Sequence, residues 1–252
     1  MARTARKLGL EISRVSSQGR RLPVEALPSD AAAIASLQDY TMTSAERLWS
    51  LMESVRYVVN EGISGDFVEC GVWRGGSVMA MLNELRNLKA MDRRVWLYDT
   101  FAGMTPPSSA DVEASTGRHA YELLSATPKG TGNNVWCIAD LHDVTRNITS
   151  TGYPMDLIEF VEGDVVETLA DRIPETVALL RLDTDWYEST RASLETLYPR
   201  LAVGGICILD DYGHWQGARK AVDEYFTELG HRPLMHPIDY SGRIFMKPAS
   251  HA

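Results

Sequence analysis

Two apolar runs in this chain end in clustered carboxylates. Leu179-Leu180-Arg181-Leu182 leads into Asp183-Thr184-Asp185, and Ile206-Cys207-Ile208-Leu209 leads into Asp210-Asp211-Tyr212. In an open parallel sheet the carboxyl ends of the strands converge on the ligand crevice, so these acids share one small space. Such crowding is costly unless protons or a cation neutralise it, and an all-oxygen cluster suits Mg2+ rather than zinc. Asp183, Asp210 and Asp211 are therefore candidate metal ligands. A cation held there lowers the pKa of a substrate hydroxyl while a nearby carboxylate takes the proton, and Asp183 is a candidate for both tasks. His214, in Tyr212-Gly213-His214-Trp215, is a second candidate base. The blander alternatives make Asp185 or Asp211 a helix cap and His214 a substrate contact. Trp186 and Tyr187 follow the acids closely enough to pack against a ligand, or simply against a neighbouring helix.

A second set of residues lies nearer the amino terminus. Val68-Glu69-Cys70-Gly71-Val72-Trp73-Arg74-Gly75-Gly76-Ser77 reads as a strand, a glycine-rich turn and a helix start, where free N–H groups face polar or anionic atoms. It is not the G-x-G-x-x-G of dinucleotide binders, which argues against an NAD-dependent oxidoreductase. Val95-Trp96-Leu97-Tyr98-Asp99 is a second strand whose terminal acid is placed to accept hydrogen bonds from ribose hydroxyls. Asp164, beyond Phe160-Val161-Glu162-Gly163, ends a third strand and is a candidate for an adenine amino group or a plain turn aspartate.

These residues need a parallel sheet to bring them together. Short β-branched runs alternate with helical patterns, the sign of βαβ units with helices on both faces of a sheet. The strands fall at 66–72, 94–99, 157–162, 177–183 and 205–209, with a last pair near 234–238 and 243–246. Apolar residues at three- and four-residue steps predict helices over 43–60, 77–89, 190–201 and 216–229. Between Asp99 and Leu157 the rhythm breaks into a stretch rich in Gly, Pro, Ser and Thr, with one helix near 139–149. An insertion this long, about 103–157, is expected to be a lid over the active site. Residues 1–37 read as a basic tail or extension, and 38–252 as one domain.

Composition narrows the partners. The 252 residues carry a formal charge of −9, with 44% apolar and 23% charged residues, so the chain is globular and unsuited to grip nucleic acid through phosphates. No apolar run is long enough to span a membrane or serve as a secretory leader, which points to the cytoplasm. Three widely spaced cysteines suit reduced core thiols.

With these motifs in place, the sequence resembles the macrocin-type O-methyltransferase family, whose members methylate sugar or phenolic hydroxyls on antibiotics and related metabolites. The likeness covers roughly 38–248 and rests on Tyr40-Thr41-Met42-Thr43, Glu69 to Gly76, Leu182-Asp183-Thr184-Asp185-Trp186-Tyr187, and Asp210-Asp211-Tyr212 followed by Gly217-Ala218-Arg219-Lys220-Ala221-Val222. Residues 103–157 depart from it. The resemblance implies a class I methyltransferase, Rossmann-like fold with a seven-stranded, mostly parallel sheet and an N-terminal helical extension. It implies an S-adenosylmethionine site at Thr41, Met42, Glu69, Gly71, Ser77, Asp99, Phe101, Asp164, Asp183 and Trp186, and a magnesium site at Asp183, Asp210 and Asp211. It also implies a homodimer, with the Tyr40–Met42 segment and the insertion closing over cofactor and acceptor. The expected activity is Mg2+-dependent methyl transfer to a hydroxyl of a sugar or glycosylated small molecule. A catechol or phenol acceptor, or a nucleotide-binding protein of the same fold without activity, are the alternatives.

Overall fold

The structure is a computed structural model that describes residues 22–130 and 134–249; the basic stretch 1–21 lies outside them. Its elements run α1 Pro28–Ser36, α2 Ala45–Asn60, β1 Asp66–Cys70, α3 Gly76–Asn87, β2 Val95–Asp99, α4 Ala120–Ala126, α5 Leu141–Ser150, β3 Ile158–Glu162, α6 Val165–Thr168, β4 Val177–Leu182, α7 Tyr187–Leu197, β5 Leu201–Leu209, α8 Gln216–Glu228, β6 His236–Pro237 and β7 Arg243–Met246. The seven strands form one sheet in the order β3-β2-β1-β4-β5-β7-β6. β1 to β5 are parallel, and β7 and β6 return antiparallel at one edge. The chain winds outward from β1 through β2 and β3, then resumes on the other side with β4. The switch point therefore lies between β1 and β4, where a crevice opens at the carboxyl ends.

Both faces of the sheet are covered, which is why its central strands read as continuous apolar runs. Alternate residues serve opposite faces: Phe67, Leu97 and Leu179 pack with Leu48, Val55 and Leu82 of α2 and α3. Val68, Leu180 and Cys207 pack with Leu194 and Phe226 of α7 and α8. α2 begins where Ser44 Oγ accepts from Arg47 N at 3.2 Å, and Gly62, at φ +65°, follows its end.

Four boundaries differ from the sequence expectation. The helix expected over 190–201 begins at Tyr187 and gives way at Tyr198-Pro199-Arg200 to a short 3-10 turn, because a proline has no N–H to continue the ladder. β5 starts at Leu201, where the expected strand began at Gly205; Lys247 N bonds Gly205 O and Gly204 N bonds Lys247 O along its early part. The strand expected over 234–238 shortens to His236–Pro237, where Pro237 has no N–H for a ladder bond and Pro233 stands just upstream. α1 is the helix of the N-terminal extension, whose bounds the sequence did not mark; Ile34 and Leu37 seat it on the core, and Asp30 pairs with Arg56 of α2 at 2.6 Å.

The insertion is stitched to the loop after β5. Ala114 N bonds His214 O at 2.8 Å and Gln216 N bonds Val112 O at 2.9 Å. Asp111, fully buried, accepts from Tyr187 N at 2.8 Å and from Ser108 N at 2.6 Å. A Cβ at residue 217 would come within 1.9 Å of Asp111 Oδ1, so only glycine fits the start of α8. Ala120 and Leu124 of α4 close this seam against Trp186 and Trp215.

Candidate active site

A cavity of about 490 Å³ opens at the carboxyl ends of β1, β2, β4 and β5, a volume ordinary for a small-molecule site. The insertion supplies part of its wall through Met104, Thr105, Glu113, Leu123 and Val135. Thr41, Met42, Glu69, Gly71, Ser77, Asp99, Asp164, Asp183, Trp186, Asp210, Asp211 and His214 all line it. Phe101 does not: its ring is buried against Phe160, and what it brings to the site is a backbone N–H on Asp99 Oδ1 at 2.7 Å.

The acid trio is assembled as the sequence suggested, with one oxygen from each of Asp183, Asp210 and Asp211 within 4.8 Å of the others. Its charge is not left to a cation alone. Arg181, on β4 and in register with Glu69 of β1, points to the same side of the sheet and pairs with Glu69, with Asp183 at 2.9 Å and with Asp210 at 2.5 Å. Arg47, from the first turn of α2, pairs with Asp210 and reaches Asp239 at 3.0 Å. Thr43 Oγ1 donates to Asp210 at 3.1 Å, and Ser241 Oγ holds the Asp210 carbonyl at 2.6 Å.

Burial raises Asp183, Asp185 and Asp211 above the usual carboxylate range. Asp183 keeps 31% of its side chain open to the cavity, yet its depth there pushes its pKa up to about 6, Arg181 pulling down and Asp210 adding to the rise. Burial, then the charge of Asp183, lifts Asp185 to about 8; its Oδ1 accepts from Trp215 Nε1 at 2.8 Å. Burial and the same neighbours raise Asp211 well above the carboxylate range, while its Oδ2 accepts from Asp185 N at 3.1 Å. Asp185 is thus a fourth acid of the cavity and not a helix cap. Burial lowers the pKa of His214. Its ring sits edge-on to Trp215, with Nδ1 3.2 Å from Tyr240 Oη and Nε2 3.8 Å from Glu113.

On the other wall, Asp99 is raised by burial but accepts from Val72 N at 2.6 Å and Trp73 N at 3.0 Å, besides Phe101 N. A carboxylate offers about four acceptor sites, so it retains capacity for a further donor. Asp164 Oδ1 caps α6 through Val166 N at 2.9 Å. The glycines answer to the chain itself: a Cβ at Gly71, φ +83°, would lie 1.8 Å from the Asp183 carbonyl, and one at Gly76 would lie 2.6 Å from Tyr40 O. The Tyr40–Thr43 segment therefore lies directly on the β1–α3 turn. Glu69 Oε2 is buried with no hydrogen-bond partner among the described residues, and burial pushes this carboxyl up to about 8. An unsatisfied carboxyl oxygen on the cavity wall fits a cationic amino group, whose charge would draw the carboxyl back to its ionised form and which is what the methionine end of S-adenosylmethionine carries.

The crowded carboxylates fit a divalent cation: Asp183 and Asp211 each keep an oxygen outside the pairings above, and Asp210, with three donors on about four acceptor sites, keeps one site beside Arg47 and Arg181.

Sequence reasoning missed Arg47, Arg181, Asp111 and Asp239. A lone arginine inside the apolar run Leu179 to Leu182 was the available signal for one of them. Nothing in the spacing announces the others.

Comparison with known proteins agrees with this geometry. Residues 24–247 match the family described as macrocin-O-methyltransferase (TylF). The chain is 36% identical over 216 residues to the 8-demethyl-8-(2,3-dimethoxy-alpha-L-rhamnosyl)-tetracenomycin-C 4'-O-methyltransferase of Streptomyces olivaceus, covering 84% of this chain and 77% of that one. It is 34% identical over 203 residues to demethyldecarbamoylnovobiocin O-methyltransferase of Streptomyces niveus, covering 81% and 74%. Among solved structures it resembles the O-methyltransferase NovP, with a TM-score of 0.71, 31% identity and 83% of each chain covered. The calicheamicin methyltransferase CalS11, at 19% identity and a TM-score of 0.60 over 92% of this chain and 98% of that one, shares the fold. With a family match across nearly all its described residues and a site built to suit, the chain belongs to the macrocin O-methyltransferase family of S-adenosylmethionine-dependent enzymes.

Proposed function

We propose that this enzyme methylates, with Mg2+ assistance, a hydroxyl of a sugar or glycosylated small molecule. The observation that carries the reading is the Asp183 carboxylate, open to the cavity and poised with a pKa of about 6 beside Asp210 and Asp211. A base of that strength at the cavity surface is matched to proton removal near neutral pH. Two relatives named for glycosylated or antibiotic acceptors support the sugar class.

S-adenosylmethionine, when bound, supplies a methyl group on a positively charged sulfur, and Mg2+ supplies a Lewis acid that orients and acidifies the acceptor hydroxyl. Glu69 Oε2 receives the amino group of the cofactor, Asp99 its ribose hydroxyls and Asp164 its adenine edge. Asp183, Asp210 and Asp211 hold the cation. Asp183 would take the proton of the acceptor hydroxyl, and the bound cofactor would supply the methyl group to the oxygen so freed. Trp186 and Trp215 wall off water, and His214, held by Tyr240 and facing Glu113, positions the acceptor. The same reading has the enzyme working as a homodimer in the cytoplasm, a setting that suits its three unpaired thiols.

The test is methyl transfer to glycosylated acceptors, followed by mass spectrometry with and without EDTA. Chelation should abolish transfer and Mg2+ restore it, and Asp210→Asn should lower turnover far more than it weakens S-adenosylhomocysteine binding. His214→Ala should be the milder change. Full activity in EDTA, or a dead His214→Ala beside an active Asp210→Asn, hands the chemistry to the histidine.

A further inference from the structure

Asp210 is already neutralised by two guanidiniums before any cation arrives. Its Oδ1 accepts from Arg181 Nη2 at 2.5 Å and Thr43 Oγ1 at 3.1 Å; its Oδ2 is paired with Arg47 Nη1 and lies 3.2 Å from the same hydroxyl. With about four acceptor sites on a carboxylate, one remains, but a divalent cation placed there would face two guanidiniums, and like-charge repulsion favours the departure of one of them.

The two guanidiniums differ in what holds them. Arg181 is 2% exposed and serves Glu69, Asp183 and Asp210 together, so its departure would strand a buried Glu69 without its partner. Arg47 sits nearer the rim, 11% exposed, and its Nε already bonds Asp239 Oδ2 at 3.0 Å. Asp239 is thus the arginine's second, fixed partner. Ser44 Oγ at 2.8 Å, Ser241 N at 2.9 Å and Gly242 N at 2.7 Å fix its carboxylate. The Arg47 stem lies over Gly242, where a Cβ would come within 2.8 Å of its Cδ, so the absent side chain leaves the arginine room.

Resting on the Mg2+ reading above, we infer that Arg47 is the exchangeable counter-ion of the cation site: it neutralises Asp210 when no cation is bound and keeps only its Asp239 pairing when a divalent cation replaces it. Loading the site then exchanges one cation for another at Asp210 and leaves no carboxylate stranded. The cation's affinity is set by how firmly Asp239 holds the arginine.

Mn2+ titration of the full chain, followed by the electron paramagnetic resonance signal of the free ion, tests this without turnover. Arg47→Gln should bind Mn2+ about tenfold tighter than wild type, and Asp239→Asn weaker by a similar factor, within the usual range for coupled sites. In the double variant the Asp239→Asn effect should vanish, because no arginine remains to be held. A persistent Asp239→Asn effect would mean that general field effects act and exchange does not, which overturns the proposal. So does an Arg47→Gln protein that binds Mn2+ no better than wild type. Should Arg47→Gln fail to fold, Arg47→Lys carries the test: its shorter reach predicts tighter binding than wild type, and unchanged binding counts against exchange. Wild type and Arg47→Gln both failing to bind Mn2+ would remove the magnesium reading together with this one.

Discussion

Arg181 shows how much of the site rests on one side chain. Replacing it with methionine keeps the bulk of the stem but leaves Glu69, Asp183 and Asp210 facing one another without their shared guanidinium. Removing one partner of a buried ion pair typically costs about 3–5 kcal/mol. Urea denaturation of Arg181→Met should show a loss of that order; less than about 1 kcal/mol would mean that protons or water already neutralise these acids. The carboxylate trio was legible in the sequence because each acid ends an apolar run, and strand ends meet at a switch point. Its neutralisation was read as the work of protons or a cation, with no part given to arginines. Arg47 joins Asp210 from 163 positions away, on a helix whose sequence says only which face is apolar.

The elements most readily read were the long or doubly buried ones. β1 to β4 lie within a residue or two of expectation, since burial on both faces leaves an uninterrupted apolar run. α4 has seven residues and α6 four, too few to display a helical period, so neither was foreseen. That the insertion reaches the cavity wall was legible from its length and place, but the joint that seats it was not. Asp111 makes that joint by holding the first N–H of α7 and the turn at Ser108. Asp111→Ala removes several hydrogen bonds worth about 1 kcal/mol each. It should raise KM for the acceptor several-fold while S-adenosylhomocysteine affinity, measured by calorimetry, changes little. Equal loss of both would show that Asp111 supports the whole cavity and not the insertion.

At the scale of the molecule, acid should first loosen the amino-terminal helix. Hydrogen bonding to Arg56 holds the Asp30 carboxyl below its ordinary value of 3.8, and Arg56 also bonds Glu84 of α3 at 2.9 Å, tying α1 to two helices. A depressed carboxyl contributes stability that is present above its unfolded pKa and lost as pH falls through the folded one. Denaturation midpoints should therefore drop below about pH 4, and Asp30→Asn should flatten that drop. An unaltered acid profile in the variant would assign the loss to other carboxyls, such as Asp143, which Arg74 likewise holds low. Among the described residues no helix is long and apolar enough to cross a membrane. The edge-on contact of Trp186 and Trp215, 4.9 Å between ring centres at 72°, has an optical consequence. Two indoles this close and this steeply inclined couple their excited states, so the folded enzyme should carry an exciton couplet in its ultraviolet circular dichroism. Because Ala120 and Leu124 of the insertion press on the same pair, the couplet reads whether that seam is shut, and Trp186→Phe should erase it.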